Sequence, residues 1–184
     1  MNIVILGAPG AGKTTAATHL STALSMAYLS GDLERDSLAR PFGFSSTRAE
    51  NIYARGGALA YGRYVAQFDE LMIWGWLSQH SNSVIDTAGG YLITAAHRVD
   101  MLLQSSALLV LIHPHLSDLD DWLHRMRADR GESVDDWWRR GGRQWQLTTV
   151  RAADELAKDS RIIVVTEAYG DGLLSEVIAR RETD

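Results

Sequence analysis

Residues 7–14 read GAPGAGKT, between the apolar run NIVIL (residues 2–6) and a segment of helical period, KTTAATHLSTAL (residues 13–24). No other feature of the chain restricts its fold so much. The spacing G-x-x-x-x-G-K-[ST], placed after a strand and at the head of a helix, lets successive backbone N–H groups converge on phosphate oxygens. Gly7, Ala8, Pro9, Gly10, Ala11 and Gly12 make up the expected cradle, which Thr15 extends into the helix. Lys13 is expected to reach the terminal phosphates, and the Thr14 hydroxyl to ligate Mg²⁺. ATP with Mg²⁺ is therefore the expected cofactor.

The alternation of short apolar runs with helical segments continues along the chain. MAYL (residues 26–29) precedes helical stretches to about Leu77, SVID (83–86) a helix to about Gln104, ALLVLI (107–112) a helix through Leu123, and RIIVV (161–165) a closing helix around Leu173 to Arg180. Runs that are apolar on both faces belong in a parallel sheet covered on both sides. The expected class is α/β, a three-layer architecture with five parallel strands. At 184 residues, 46% of them hydrophobic, one domain spanning residues 1–184 is expected.

Charge and composition exclude several partners. A formal net charge of −5 argues against duplex nucleic acid, whose binding rests on Lys and Arg neutralising phosphates. No apolar run reaches the length of a membrane span. The chain has no cysteine, hence no disulfide or thiolate chemistry, and it opens on a strand without a charged leader, so the cytoplasm is the expected compartment. A monomer or a homodimer fits equally.

Asp86 closes the third apolar run, where a carboxylate can hold part of a Mg²⁺ shell. Aspartate is also a common turn former, and that reading stays open beside the metal one. The following DTAG resembles the Asp-x-x-Gly turn of GTPases, but their base-reading Asn-Lys-x-Asp is absent and the fifth run ends in VVTEAYGD.

A cluster of charge follows the second run. SGDLERDSLARPFGFSSTRAENI, residues 30–52, carries an acidic turn, several arginines and an amide. A carboxylate on that loop lies at the carboxyl edge of the sheet, where such folds bind ligands, and Asp32 there can orient a hydroxyl and take its proton. The alternative is that Asp32 caps the next helix and that the arginines are solvated.

These residues resemble the small-molecule P-loop kinases, a group that includes shikimate, gluconate and adenylylsulfate kinases. Gly31, Asp32 and Arg35 match the Gly-Asp-x-x-Arg turn of adenylylsulfate kinases, Gly43 to Ser45 their Gly-Phe-Ser step, and Arg48 to Ile52 their Arg and Glu-Asn-Ile run. The resemblance implies that Asp32 faces the acceptor hydroxyl while Arg35, Arg48 and Asn51 hold an anionic part of the acceptor. Downstream of Asp86 the pattern changes: DTAGGY replaces Ile-Ser-Pro-Tyr, and Gly89 and Gly90 resemble the glycine-rich turn that brings N–H groups to the acceptor of shikimate kinases. Shikimate kinases have a further Asp where this chain has Ser30, and Arg63 is only a loose counterpart of their Phe-Arg motif. The resemblance is thus to the superfamily, not to one member.

Residues 120–145, DDWLHRMRADRGESVDDWWRRGGRQW, are crowded with Arg, Asp and Trp. By resemblance to shikimate-like and nucleotide kinases, the region from about 125 to 145 is a lid, with Arg125 stacking on adenine, Arg130 facing phosphate, and Arg139, Arg140 and Arg143 as further candidates. An amphipathic helix with a solvated charged face is the alternative. Trp137 and Trp138 can line the acceptor pocket, favouring an apolar or aromatic acceptor, or pin the lid closed. His113 and His115 read as turn or packing residues rather than metal ligands. Glu167 to Asp171 fall where the superfamily packs a loop on adenine.

The expected activity is transfer of the terminal phosphoryl group of ATP to a hydroxyl of a small, anionic metabolite, with Lys13, Asp32 and Arg130 as catalytic residues. A kinase of nucleotides or nucleic-acid ends is the nearest alternative. A nucleotide-dependent switch or adaptor is a third.

Overall fold

The computed structural model describes residues 1–105, 107–113, 139–166 and 171–182. Its sheet has five parallel strands: β1 (Asn2–Gly7), β2 (Ala27–Ser30), β3 (Ser83–Asp86), β4 (Ala107–Ile112) and β5 (Ile163–Val165), in the order β2-β3-β1-β4-β5. The α/β class expected from the runs is the one observed. β1 occupies the centre because its neighbours on both edges are later strands. The chain leaves β1 for β2 on one flank, returns through β3, and crosses to β4 on the other. Such a reversal opens a crevice at the carboxyl ends of the strands.

Side chains alternate across the central strands and feed two cores. Val4 and Leu6 join Leu109, Leu111 and Ile85 on one face, while Ile3 and Ile5 join Leu108, Val110 and Val84 on the other. Both faces are therefore dry, which is why these strands read as unbroken apolar runs. The second face is covered by α1 (Lys13–Ala23) through Ala16, Ala17 and Leu20, and by α7 (Asp171–Arg181) through Leu173 and Val177. The first face carries α3 (Ser46–Gln79), α4 (Tyr91–Ala95), α5 (Val99–Gln104) and α6 (Gly142–Leu156). α2 (Gly31–Ala39) follows β2 directly.

Two features depart from the sequence-based expectation. α6 is a well-formed helix where none was expected, although its buried Trp145, Val150, Ala153 and Leu156 keep helical spacing with the polar Gln146 and Thr149 among them. α3 is interrupted at Gly57, whose φ of 71° and ψ of −169° are open essentially to glycine alone. The break frees the Ala58 N–H from the helical ladder, and it donates to the Arg140 carbonyl oxygen at 2.8 Å. A Cβ on Gly57 would lie 2.1 Å from that oxygen. The kink is therefore locked to the segment that leads into α6. The helix expected to run through Leu123 lies outside the described residues.

Candidate active site

The phosphate loop turns out of β1 and into α1 with Gly10 and Gly12 at φ 79° and 93°, values that L side chains rarely adopt. Gly12 is the residue immediately before the helix, so the loop's N–H groups and the helix N-terminus share one concavity. Lys13 is buried, and its Nζ donates to the Ala8 carbonyl oxygen at 3.0 Å. The Thr14 hydroxyl donates to Asp86 Oδ2 at 2.7 Å, and the Tyr28 hydroxyl donates to the same oxygen at 3.1 Å. The register of β1 against β3 sets Asp86 level with Ile5, which puts the carboxylate beside the loop. Burial raises the Asp86 pKa above the usual carboxylate range, opposed by the Thr14 hydrogen bond and the Lys13 ammonium.

A hydroxyl and a carboxylate at this spacing are hard oxygen donors, and the pair suits Mg²⁺ shared with phosphate oxygens and water. Among the described residues no cluster of three or more His, Asp or Glu forms a closed metal cage. His113 follows β4 and its Nε2 lies 3.0 Å from Asp154 Oδ1, a pairing contact.

One cleft of about 830 Å³ joins the phosphate loop to the first turn of α2 and to α3. Pro9, Gly10, Gly12, Lys13 and Thr14 line one side; Asp32, Arg35, Glu50, Tyr53 and Tyr61 line the other, with Gly89, Gly90, Arg140 and Trp145 completing the wall. Ser30, not Asp32, caps α2: its Oγ accepts from the Leu33 N–H at 3.4 Å, and its own N–H donates to Glu34 Oε1 at 3.1 Å. Asp32 is thereby left out of the cap, with a side chain 68% exposed.

Arg35 anchors this side of the cleft. Its Nη2 donates to Asp32 Oδ1 at 2.9 Å and its Nε to Asp69 Oδ1 at 2.6 Å. Asp69, on α3, is 1% exposed, and its Oδ2 is one of the buried oxygens with no hydrogen-bond partner. Burial pushes the Asp69 carboxyl up to about 6, the Arg35 guanidinium pulling the other way. Arg35 is thus a strut between two carboxylates.

Arg48 and Asn51 are not brought to this cleft. They line an open hollow of about 610 Å³ together with Ser45 and Arg55, and the Arg48 guanidinium lies 5.5 Å from the Tyr64 ring centroid. The Gly-Phe-Ser step serves the fold: Phe44 is buried against Tyr64 and Phe68, and Ser45 Oγ caps α3 by accepting from the Arg48 N–H. Arg63 is exposed on α3. Arg125, Arg130, Trp137, Trp138 and residues 167–170 lie outside the described residues, as does most of the expected lid.

Tyr53, Tyr61, Asp69 and Trp145 belong to the cleft or its support without standing in any sequence motif. The Trp145 ring fills the space that Gly62 leaves, since a Cβ there would lie 2.2 Å from it, and the same ring passes beside Gly90. Gly89 in turn packs on Pro9, which ties the glycine pair to the phosphate loop. Asp69 carried a readable signal: unlike its neighbour Glu70, it stands at helical spacing with the apolar Val65, Met72 and Ile73.

The five-stranded parallel sheet with helices on both faces is a fold also seen in solved structures of small-molecule kinases. Solved structures of similar fold include a shikimate kinase from Acinetobacter baumannii in complex with shikimate, at 19% identity and a TM-score of 0.65 over 100% of this chain and 94% of that one. A shikimate kinase from Aquifex aeolicus matches at 16% identity and a TM-score of 0.58, over 99% of this chain and 96% of its own. A deoxyadenosine kinase from M. mycoides with bound dCTP matches at 16% identity and a TM-score of 0.56 over 100% of both chains. No protein-family profile and no curated protein matches the sequence. No helix among the described residues is long and apolar enough to cross a membrane.

Proposed function

We propose that the protein is an ATP-dependent kinase that transfers the terminal phosphoryl group to a hydroxyl of a small molecule, with residues 1–184 acting as one kinase domain. The observation that carries this reading is the single cleft in which the phosphate loop faces Asp32. In the proposed reaction the backbone N–H groups of residues 7–14 hold the polyphosphate, and Lys13 pairs with its terminal oxygens. Thr14 and Asp86 would hold Mg²⁺, which neutralises charge on those phosphates when bound. Asp32, fixed by Arg35, orients the acceptor hydroxyl and accepts its proton. The alcohol oxygen forms the new bond to phosphorus as the bridging P–O bond breaks, and that bond's electron pair leaves with ADP. Arg140 enters the cleft from the segment before α6, where a guanidinium can offset charge spread over the transferring oxygens.

The test is ATP consumption in the presence of pooled hydroxyl compounds, compared with a no-acceptor control. The expected outcome is acceptor-dependent ADP formation at least about tenfold above the control, well inside what oriented transfer contributes. ADP release at the same rate whatever alcohol is added would instead favour a nucleotide-dependent switch.

A further inference from the structure

The described charges on the acceptor side of the cleft do not suit an anion. Arg35 is tied by two hydrogen bonds to carboxylates, so its positive charge is already matched, and with Asp32 and Asp69 it forms a group that is net negative when all three are ionised. Glu50 adds a further carboxylate to the same wall. Arg48 and Asn51 line another hollow. Arg140 is the one described cation of this wall outside the Arg35 group, and its guanidinium lies over the Tyr53 ring, 5.7 Å from the centroid. An incoming carboxylate would meet like charge beside Asp32 and Glu50, which disfavours its binding there.

The shape and chemistry of the wall point elsewhere. Tyr53 and Tyr61 flank the Gly57 break, one in each half of α3, and their rings meet edge to face at 6.0 Å and 82°. Without the break the two halves would continue as one straight helix; with it, both rings border the cleft. Trp145 lines the same wall, lodged against Gly62 and Gly90, and Ala58 and Val65 extend it with apolar surface. Aromatic faces and edges of this kind hold flat, conjugated rings through offset and edge-to-face contacts.

We propose that the acceptor is an uncharged alcohol built on a flat conjugated ring, with the ring against Tyr53, Tyr61 and Trp145 and the hydroxyl at Asp32. The inference rests on the kinase reading above and narrows its substrate class. It replaces the anionic metabolite expected from the sequence with a neutral one.

The experiment compares three sets of acceptors at saturating ATP. Adenosine, thymidine, deoxycytidine and pyridoxine are ring-bearing alcohols without a carboxylate or phosphate; shikimate and gluconate are alcohols with a carboxylate; glycerol and myo-inositol are neutral but lack a flat ring. The proposal expects ADP formation with at least one member of the first set, at a kcat/KM at least about tenfold above every member of the other two. Tyr53→Leu should then raise KM for that acceptor by about tenfold, the order that one aromatic contact contributes, with KM for ATP unchanged.

Preference for a carboxylate-bearing or ring-free alcohol would overturn the proposal and leave the kinase reading standing. An unchanged acceptor KM in Tyr53→Leu would overturn the aromatic seat. ATP binding measured by calorimetry, with no acceptor-dependent turnover from any of the eight compounds, would count against both the proposal and the kinase reading.

Discussion

The two sides of the cleft are built in opposite ways. On the proposed phosphate side the groups come from one continuous stretch, residues 7–15, with Asp86 delivered by strand register; on the proposed acceptor side they come from α2, both halves of α3, the turn before α4 and α6. The first side works chiefly through backbone geometry, the second through side chains that depend on one another. Arg35 needs Asp69, Tyr53 and Tyr61 depend on the Gly57 break, and Trp145 needs the space at Gly62 and Gly90. A contiguous site is robust to the rest of the fold, whereas an assembled one shifts when any of its supports moves.

Asp32→Asn tests that contrast with the largest expected effect. It should lower transfer by about 10²–10⁴-fold, the usual worth of a positioned acid or base, while ATP affinity stays close to that of the parent, as steady-state kinetics and calorimetry would show. Equal losses in both would mean that the two sides are not separable.

Lys13→Ala attacks the contiguous side. Loss of a charge-assisted contact to phosphate should weaken ATP binding by at least about tenfold and remove the thermal stabilisation that ATP confers. Retained stabilisation would show that nucleotide binds somewhere else.

Asp69→Asn probes the hidden support. Asp69 ionises at about pH 6 when folded, so transfer should fall as the pH drops through 6 and Arg35 loses its buried partner; the variant should be slower and lack this acid limb. The stability consequence has the opposite sign. A folded pKa raised above the unfolded one means that the native state binds more protons between about pH 4 and 6, so this group's contribution falls as pH rises through that window and is constant above it. A limb near pH 6 that persists in Asp69→Asn would assign the titration to another group.

Smaller effects are expected further from the chemistry. Gly57→Ala should lower stability by about 1–3 kcal/mol from backbone strain alone, more if the Arg140 carbonyl cannot move away from the new Cβ, as chemical denaturation would measure. Arg48→Ala should leave transfer within about twofold, since an exposed arginine stacked outside the cleft contributes little. A large loss in Arg48→Ala would return that residue to the acceptor site.

The same contrast explains what could be read from the sequence. The phosphate loop, the five strands and Asp86 were legible because each is a local pattern: a fixed spacing, an apolar run, an acid at a strand end. Asp32 and Arg35 were visible as a pair of types, but the sequence gives no sign that Arg35 bridges to a residue 34 positions away. Arg48 and Asn51 shared with Arg35 the role that the resemblance to adenylylsulfate kinases implies, and the turn of α3 directs them to a different hollow. α6 escaped although its buried stripe keeps helical spacing, because Trp145, which opens that stripe, reads on its own as the end of the Arg- and Trp-rich stretch before it.

The central claim is that ATP held on the phosphate loop is attacked by an alcohol positioned at Asp32. The most direct measurement is acceptor-dependent ADP formation at saturating ATP in the parent protein and in Asp32→Asn, with ATP binding checked in both. The account predicts turnover that requires an alcohol in the parent and collapses in the variant while ATP is still bound. Equal turnover in the two proteins, or turnover indifferent to added alcohol, would contradict it.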